Sequence, residues 1–589
     1  MKLSAVLRPD TWPAWSVFFS ATLALGVWIF EANSNADTGA LFFGALPLFL
    51  VFLKIASWRP WAQGWPKLLW RQTGAFALAA LGIGLSIVSG PDLHFQPMLL
   101  FLGGGFFALG ACLAVGAPTP EASKLQRLGW RAAALIFPLL LAPFLEFLRT
   151  WVRKRFGLPL SNSMHLFLMP RVGYEGLPGD LLVDGDSLLW PLAWGLILAG
   201  LGTACWRRPS SVKLMMLALW GAAGKFCYAA VSSSGLALLP QKVAAISTNY
   251  WQIAHNLPVP DFWQFICRFN AIQHTLTTHG VSHPFGPELV YYSISALFGP
   301  SCWTAALVII FLTAATPLLL AALAREFGAG PRAALAVAAL YLSSPAALIL
   351  STSGIDSTIS LVFWGSALLA VRSARRDETW SAGLAGIGLF FGSLLTFSVS
   401  FLALGLVLGA GMAALSGTPK KPLLKAALSI GGVCLLGHAA LWVATSGGFN
   451  YLESYRTAAP YAHFGGARPS YLWAWLNPLL FLAFAGAGTQ ALAFAGLGSW
   501  TLNGIRPPRY AVPALALLGS AWFMALGYGE CQRIFHWGYA ALCLLAVGSP
   551  LADWDAEGPH WGRGILLGIL VLGNALTSLW LMMSVMDYW

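Results

Sequence analysis

The sequence predicts an all-α polytopic membrane protein. Three observations carry that expectation. Of 589 residues, 58% are hydrophobic and only 10% charged; apolar runs recur from Trp12 to Met583; and basic residues gather in the short segments between those runs. A soluble domain carries about 25% charged residues, so a chain this poor in charge could not cover its own surface in water. With 28 Trp and 37 Phe, it is also unlike any solvating, disordered chain.

About 20 apolar residues of helix cross the hydrocarbon layer. By that measure the first spans are expected at Trp12–Phe30, Thr38–Leu53, Thr73–Ser89, Pro97–Gly116, Gly129–Leu148, Leu188–Trp206 and Leu214–Ser233. The first follows Lys2 and Arg8 and, at 19 residues, exceeds a signal-peptide core; no small-residue cleavage site follows, so it is expected to stay. After a polar interval come Trp303–Ala324, Ala333–Leu350, Thr358–Val371, Trp380–Val399, Phe401–Leu415 and Leu424–Thr445. The last group is Gly486–Trp500, Pro513–Gly527, Ile534–Val547 and Gly564–Met583. Two shorter stretches, Pro287–Phe298 and Tyr471–Phe484, are expected to dip into the membrane without crossing, a path tolerated where protein encloses it.

The net charge is +12. Most of that excess lies in Lys54–Arg71, Lys124–Arg131, Arg207–Lys213, Arg372–Arg376, Lys420–Lys425 and Arg506–Arg509, as expected of cytoplasmic loops; nucleic acid gains no support. That orientation puts three long loops outside the cytoplasm: Arg149–Ser187, Ser234–Pro287 and Ser446–Ser470. Arg149, Arg153, Lys154 and Arg155 then fall on the outer side. They either meet lipid phosphate there or mark a miscounted span. The basic loop near Arg207 divides the chain into a six-span N-terminal module, residues 1–212, and a core, residues 213–589, with outer loops at 234–287 and 446–470. Eight scattered cysteines form no CxxC pair and read as small packing residues rather than metal ligands or disulfides.

Titratable groups are costly in a membrane, so their clustering is informative. They gather on the outer side: Asn249-Tyr250-Trp251-Gln252-Ile253-Ala254-His255, then Asp261, His274, His279 and His283-Pro284-Phe285-Gly286-Pro287-Glu288. Phe262, Phe265, Ile266, Phe269 and Ile272 recur at spacings of three and four, which predicts one surface helix between Asp261 and Leu276. His279 and His283 have the spacing of metal ligands on a helix, but Gly280 between them and Pro284 after them indicate a loop. No metal or other cofactor is therefore expected, since the spacing gives a divalent ion no support. Asp180, Asp184 and Asp186 lack the spacing of a calcium loop and read as a solvated outer loop.

The run Thr277–Pro287, with His279, His283, Pro284, Gly286 and Pro287 in register, resembles the "H-x-x-x-H-P-P-G-P" element of polytopic GT-C superfamily glycosyltransferases; Phe285 stands at the second proline. Gly354-Ile355-Asp356 after Ser343-Ser344-Pro345, the pair Asn477-Pro478, and Gly529-Glu530-Cys531-Gln532-Arg533-Ile534 are similar to further elements of that superfamily. The resemblance spans roughly Leu214 to Trp589. It implies a GT-C-like core with long extracytoplasmic loops, behind the additional N-terminal multi-span module. It further implies an inverting transferase that takes sugar from a polyprenyl-phosphate donor to a lipid, glycan or protein acceptor, in a bacterial inner membrane with the site facing the periplasm or cell exterior.

Such chemistry needs a base for the acceptor hydroxyl and cations or donors for the departing phosphate. GT-C enzymes commonly carry an acid early in the first outer loop, and none stands between Leu236 and Pro260. Asp261 and Asp356 are the candidate bases; His279, His283, Arg456, Arg533 and Lys225 are the candidate phosphate ligands; Asn249, Tyr250, His255 and Glu530 are the candidate substrate contacts. Each has a plainer role. Asp261 and Asp356 could cap helices, Glu530 and Arg533 could pair locally, and Lys225 could snorkel to the interface. His438 reads as a helix-packing residue. Two other classes stay open: a transporter or lipid flippase, which would carry polar groups at mid-depth, and a non-catalytic membrane scaffold.

Overall fold

The structure, a computed structural model, describes residues 185–462, 481, 484–502, 514, 536–549, 554 and 561–584, less 207, 233, 246–248, 351 and 416–418. The first five expected spans, the loop 149–184, most of Tyr471–Phe484 and nearly all of Pro513–Gly527 lie outside those residues.

Every regular element among the described residues is helical. In order these are α1 (Leu189–Trp206), α2 (Ser211–Ala229), α3 (Leu238–Val243), α4 (Tyr250–His255), α5 (Phe262–Cys267), α6 (Phe269–Ile272) and α7 (Thr278–Ser282). Then come α8 (Gly286–Phe298), α9 (Cys302–Thr313), α10 (Thr316–Glu326), α11 (Pro331–Ser343), a π-helical turn (Ala346–Leu350), α12 (Ile355–Arg376), α13 (Thr379–Leu395), α14 (Val399–Leu415) and α15 (Lys420–Ala444). The last are α16 (Tyr451–Ala462), α17 (Ala487–Leu502), α18 (Gly538–Val547) and α19 (Trp561–Ser584). Among the described residues, five stretches are long and apolar enough to cross a membrane: Leu189–Trp206, Cys302–Glu326, Ile355–Arg376, Lys420–Ala444 and Gly562–Leu579.

The core is built around α11. Pro331 opens it at a position where no N–H is needed, and its alanine-rich sequence presents small side chains on every face. All residues from Ala333 to Ser343 are buried, with α1, α2, α10, α18 and α19 packed around them. Small residues set the closest approaches, as expected where helices pack without a hydrophobic drive from water. A Cβ on Gly221 of α2 would meet Leu342 of α11, one on Gly224 would strike the Trp194 indole of α1, and one on Gly386 of α13 would come 2.7 Å from the Ile430 carbonyl of α15. The expected span Ala333–Leu350 stops early because Pro345 drives Ser344 to an extended backbone, ψ 141. The wide π turn follows.

One end of the bundle is basic and ion-paired. Glu326 at the close of α10 pairs with Arg372 at 3.5 Å and with Arg376, both on α12, and Lys425 Nζ lies 2.7 Å from Asp377 Oδ1. The other end carries α3 to α8, the π turn, the start of α12 and α16. Helix α8 has 13 residues, about 20 Å of helix against a hydrocarbon layer of about 30 Å. Its start lies on the backbone at the end of α13, through Gly286, and Ser295 near its close bonds His255 of α4. Both ends of α8 thus lie at the loop-rich end.

Two further expectations are corrected. The surface helix anticipated between Asp261 and Leu276 is broken at Arg268 (φ −115, ψ 8) into α5 and α6, followed by a 3-10 turn at Gln273–Thr275. Its apolar stripe is nonetheless used: Phe262, Phe265, Ile266 and Phe269 join Ile253, Phe285, Leu394 and Phe449 in one buried cluster. The stretch containing His279, expected as a loop, forms the short turn α7. It ends where Pro284 holds His283 extended (φ −129, ψ 157).

Candidate functional site

Two lysines define the polar interior of the loop-rich end. Lys225 sits one turn beyond Gly221, on the face of α2 drawn against the core, and is only 8% exposed. Its Nζ donates to Thr313 Oγ1 of α9 at 3.2 Å, and that hydroxyl donates onward to the Ile309 carbonyl at 2.7 Å. Lys242 of α3 is 9% exposed and donates to the Ile349 carbonyl at 2.7 Å and to Thr352 Oγ1 at 3.4 Å. The π turn and the residues that follow it thus present acceptors to this ammonium. Ser353 Oγ ties the same segment to the Leu239 carbonyl of α3 at 2.9 Å. The two ammonium groups lie close enough to repel each other. Two like charges withdrawn together from water form an environment suited to an anion, because each gains most from a counter-charge in low dielectric.

His536 closes this region from the side of α18. Its Nε2 donates to the Ala346 carbonyl in the π turn at 3.1 Å, so in the neutral ring Nδ1 accepts from Ser360 Oγ of α12 at 2.5 Å. The next residue, Trp537, stacks on Phe363 with centroids 4.5 Å apart, and its carbonyl accepts from the Trp364 indole at 3.1 Å; these contacts fix the imidazole. The Lys225 charge reaches His536 as well.

The acids stand nearby. Asp356 occupies the first turn of α12, where the N-cap is Gly354 rather than the carboxylate, and it is half-buried. Negative charge is favoured there by the helix dipole. Its charge acts on the buried Tyr291 of α8, which lies one turn after Glu288 on the same helix. Tyr291 in turn meets the Trp251 ring of α4 edge-on at 5.8 Å, and so links the acids to the histidine group. There the Tyr250 ring packs edge-on to His279 at 6.2 Å and to His283 at 5.7 Å, and the two imidazoles lie nearly parallel with centroids 6.1 Å apart. His283 Nδ1 is 3.1 Å from Ser282 Oγ and 3.2 Å from the His279 carbonyl.

The other expected residues take plainer places. Asp261 is exposed at the N-cap of α5, accepting from Gln264 N at 2.8 Å and from Gln264 Nε2 at 3.1 Å. Asn249, in a left-handed conformation (φ 58), donates through Nδ2 to Thr277 Oγ1 at 3.0 Å, joining the start of α4 to that of α7. His255 is exposed, stacked on Trp251 at 4.0 Å and bonded to Ser295 Oγ at 2.8 Å. Arg456 is exposed on α16, the helix that packs beside α7. His438 bonds Ser393 Oγ at 2.9 Å between α15 and α13, as a packing residue would. Glu530, Arg533, Asp180 and Asp184 lie outside the described residues.

Lys242, Glu288 and His536 were missed as candidates. Two of them carried a signal. Lys242 is a cation on the side assigned to the exterior, where basic residues are depleted. Glu288 is an acid opening an apolar stretch too short to span. No protein-family model matches the chain, and no curated protein matches it.

Proposed function

We propose that this chain is a membrane glycosyltransferase that moves a sugar from a polyprenyl-phosphate donor to an acceptor outside the cytoplasm. The observation that supports this reading is that Lys225 and Lys242 lie close enough to act on each other, with Lys242 bonded to Thr352, four residues before Asp356. In this reading the ion-paired basic end faces the cytoplasm, as positively charged loops do. The loop-rich end then faces the periplasm or exterior of a bacterial inner membrane. The GT-C-like core and the separate N-terminal module expected from the sequence belong to the same proposal.

The chemistry follows from the charges. Asp356 takes the proton of the acceptor hydroxyl as its oxygen attacks the anomeric carbon. The bond from that carbon to the phosphate oxygen breaks, and the departing phosphate gains charge. Lys225 and Lys242 stabilise that charge, an effect worth most in a site from which water is excluded. In this reading His279 and His283 donate to the sugar or its phosphate, with the Tyr250 ring packed edge-on to both imidazoles. Asp261, occupied as a helix cap, is assigned no part in the transfer, and of the two candidate bases Asp356 is preferred.

The test is transfer of labelled sugar from a polyprenyl-phosphate donor by the full chain in liposomes. Asp356→Asn is expected to lower the rate by at least about 100-fold, the usual contribution of a general base; Asp261→Asn is expected to leave it unchanged. Equal activity in Asp356→Asn and the parent chain would remove the assignment.

A further inference from the structure

Outside the lysine pair, the least accounted-for group among the described residues is the carboxyl of Glu288. It is 0% exposed, and among the described residues neither of its oxygens has a hydrogen-bond partner. An isolated carboxylate buried in this way is far costlier than a neutral acid. The helix that carries it is tightly seated: a Cβ on Gly286 would come 2.2 Å from the Leu394 carbonyl oxygen and 2.7 Å from the Leu395 nitrogen, both at the end of α13.

Among the described residues, no cation acts on this carboxyl to favour ionisation. On α8 itself the neighbour is Tyr291, on which Asp356 of α12, Cys302 of α9 and Glu288 all act in the same sense. Helix α4 brings Tyr250 and His255, the latter engaged with Ser295. Helix α13 meets it through the Leu394 and Leu395 backbone, beside Ser393, whose hydroxyl is engaged with Phe390 O and His438. Burial pushes the carboxyl up to about 8, against which only its own backbone N–H acts.

We propose that Glu288 is a proton-operated latch. As an uncharged acid it lets the first turn of α8 seat against α13; on losing its proton it demands water, and the turn lifts. His283 lies three residues before the turn and Tyr291 one turn after Glu288, so both would leave their places opposite Tyr250 and Asp356. The device belongs to the fold and stands whether or not sugar transfer is the reaction.

Hydrogen–deuterium exchange on the full chain in micelles, corrected for intrinsic exchange, reads the latch directly. From about pH 6.5 to about pH 9.5, protection of amides in residues 286–292 is expected to fall about tenfold per pH unit once the carboxyl ionises, the slope for release of one proton. Glu288→Gln, which keeps the shape and removes the titration, is expected to abolish that slope; Glu288→Met serves as a second uncharged variant should Gln disturb the seat. Flat protection in the parent chain, the same slope in both variants, or an equal fall across α13 and α15 would each overturn the proposal.

Discussion

Lys242→Met removes one of the two ammonium groups while keeping an unbranched side chain of similar reach. Each lysine is expected to contribute a charge-assisted hydrogen bond to a bound phosphate, worth about 1.5–3 kcal/mol, which corresponds to about 10- to 100-fold in affinity. Stability should respond differently. The bonds to Ile349 O and Thr352 Oγ1 are lost, but so are the repulsion from Lys225 and the desolvation cost that a buried cation carries and an apolar side chain does not. The net change is therefore expected to stay within about 1 kcal/mol. The assay is the melting midpoint of the solubilised chain during titration with a polyprenyl phosphate, since a ligand of the folded state raises it with concentration. The variant should melt near the parent when free and require about 10- to 100-fold more lipid for the same shift. A folded Lys242→Met chain that binds the lipid as tightly as the parent would refute the reasoning.

Other consequences follow from the same contacts. The Glu288 carboxyl is raised from 4.5 to about 8 in the folded chain, so the folded state binds the extra proton between those values. Its contribution is full below about pH 4.5 and is lost as pH rises toward about 8, by at most about 5 kcal/mol; denaturant unfolding at a series of pH values should show that loss in the parent and not in Glu288→Gln. Asn574 accepts from Thr489 N and donates to Leu340 O, Ser343 Oγ and Thr489 Oγ1 within the buried core. Asn574→Leu leaves those partners unsatisfied and should cost about 2–4 kcal/mol, read as a lower melting midpoint. Asp261→Ala should cost about 1 kcal/mol through the lost cap of α5, with Asp261→Asn nearly neutral because Asn caps as well; unfolding of the two variants side by side checks it.

Helix positions were legible where the membrane alone dictates them. A run long enough to cross is a local property, so Leu188–Trp206 was read nearly as α1, and Leu424–Thr445 lies within a residue of α15 at its close. Where backbone chemistry intervenes, hydropathy says too little: the run Ala333–Leu350 is equally apolar on both sides of Pro345, yet α11 ends before it and a π turn begins after it. The break at Arg268 was hidden for the same reason, since the apolar stripe runs on regular spacing across it. For the site, Asp356, Lys225 and the histidine pair were visible as titratable groups in apolar surroundings. That Lys242 would lie beside Lys225 was not, because the acceptors that place the two ammonium groups, Thr313 and Ile349, come from distant segments. Orphaned burial, the property that distinguishes Glu288, exists only once helices are packed.

The most direct measurement is a structure of the full chain with a polyprenyl-phosphate sugar bound. The account predicts phosphate oxygens within about 2.7–3.2 Å of both the Lys225 and the Lys242 nitrogens, with the sugar carbon facing Asp356. A headgroup seated elsewhere, with the two lysines still turned to Thr313 and Ile349, would contradict it.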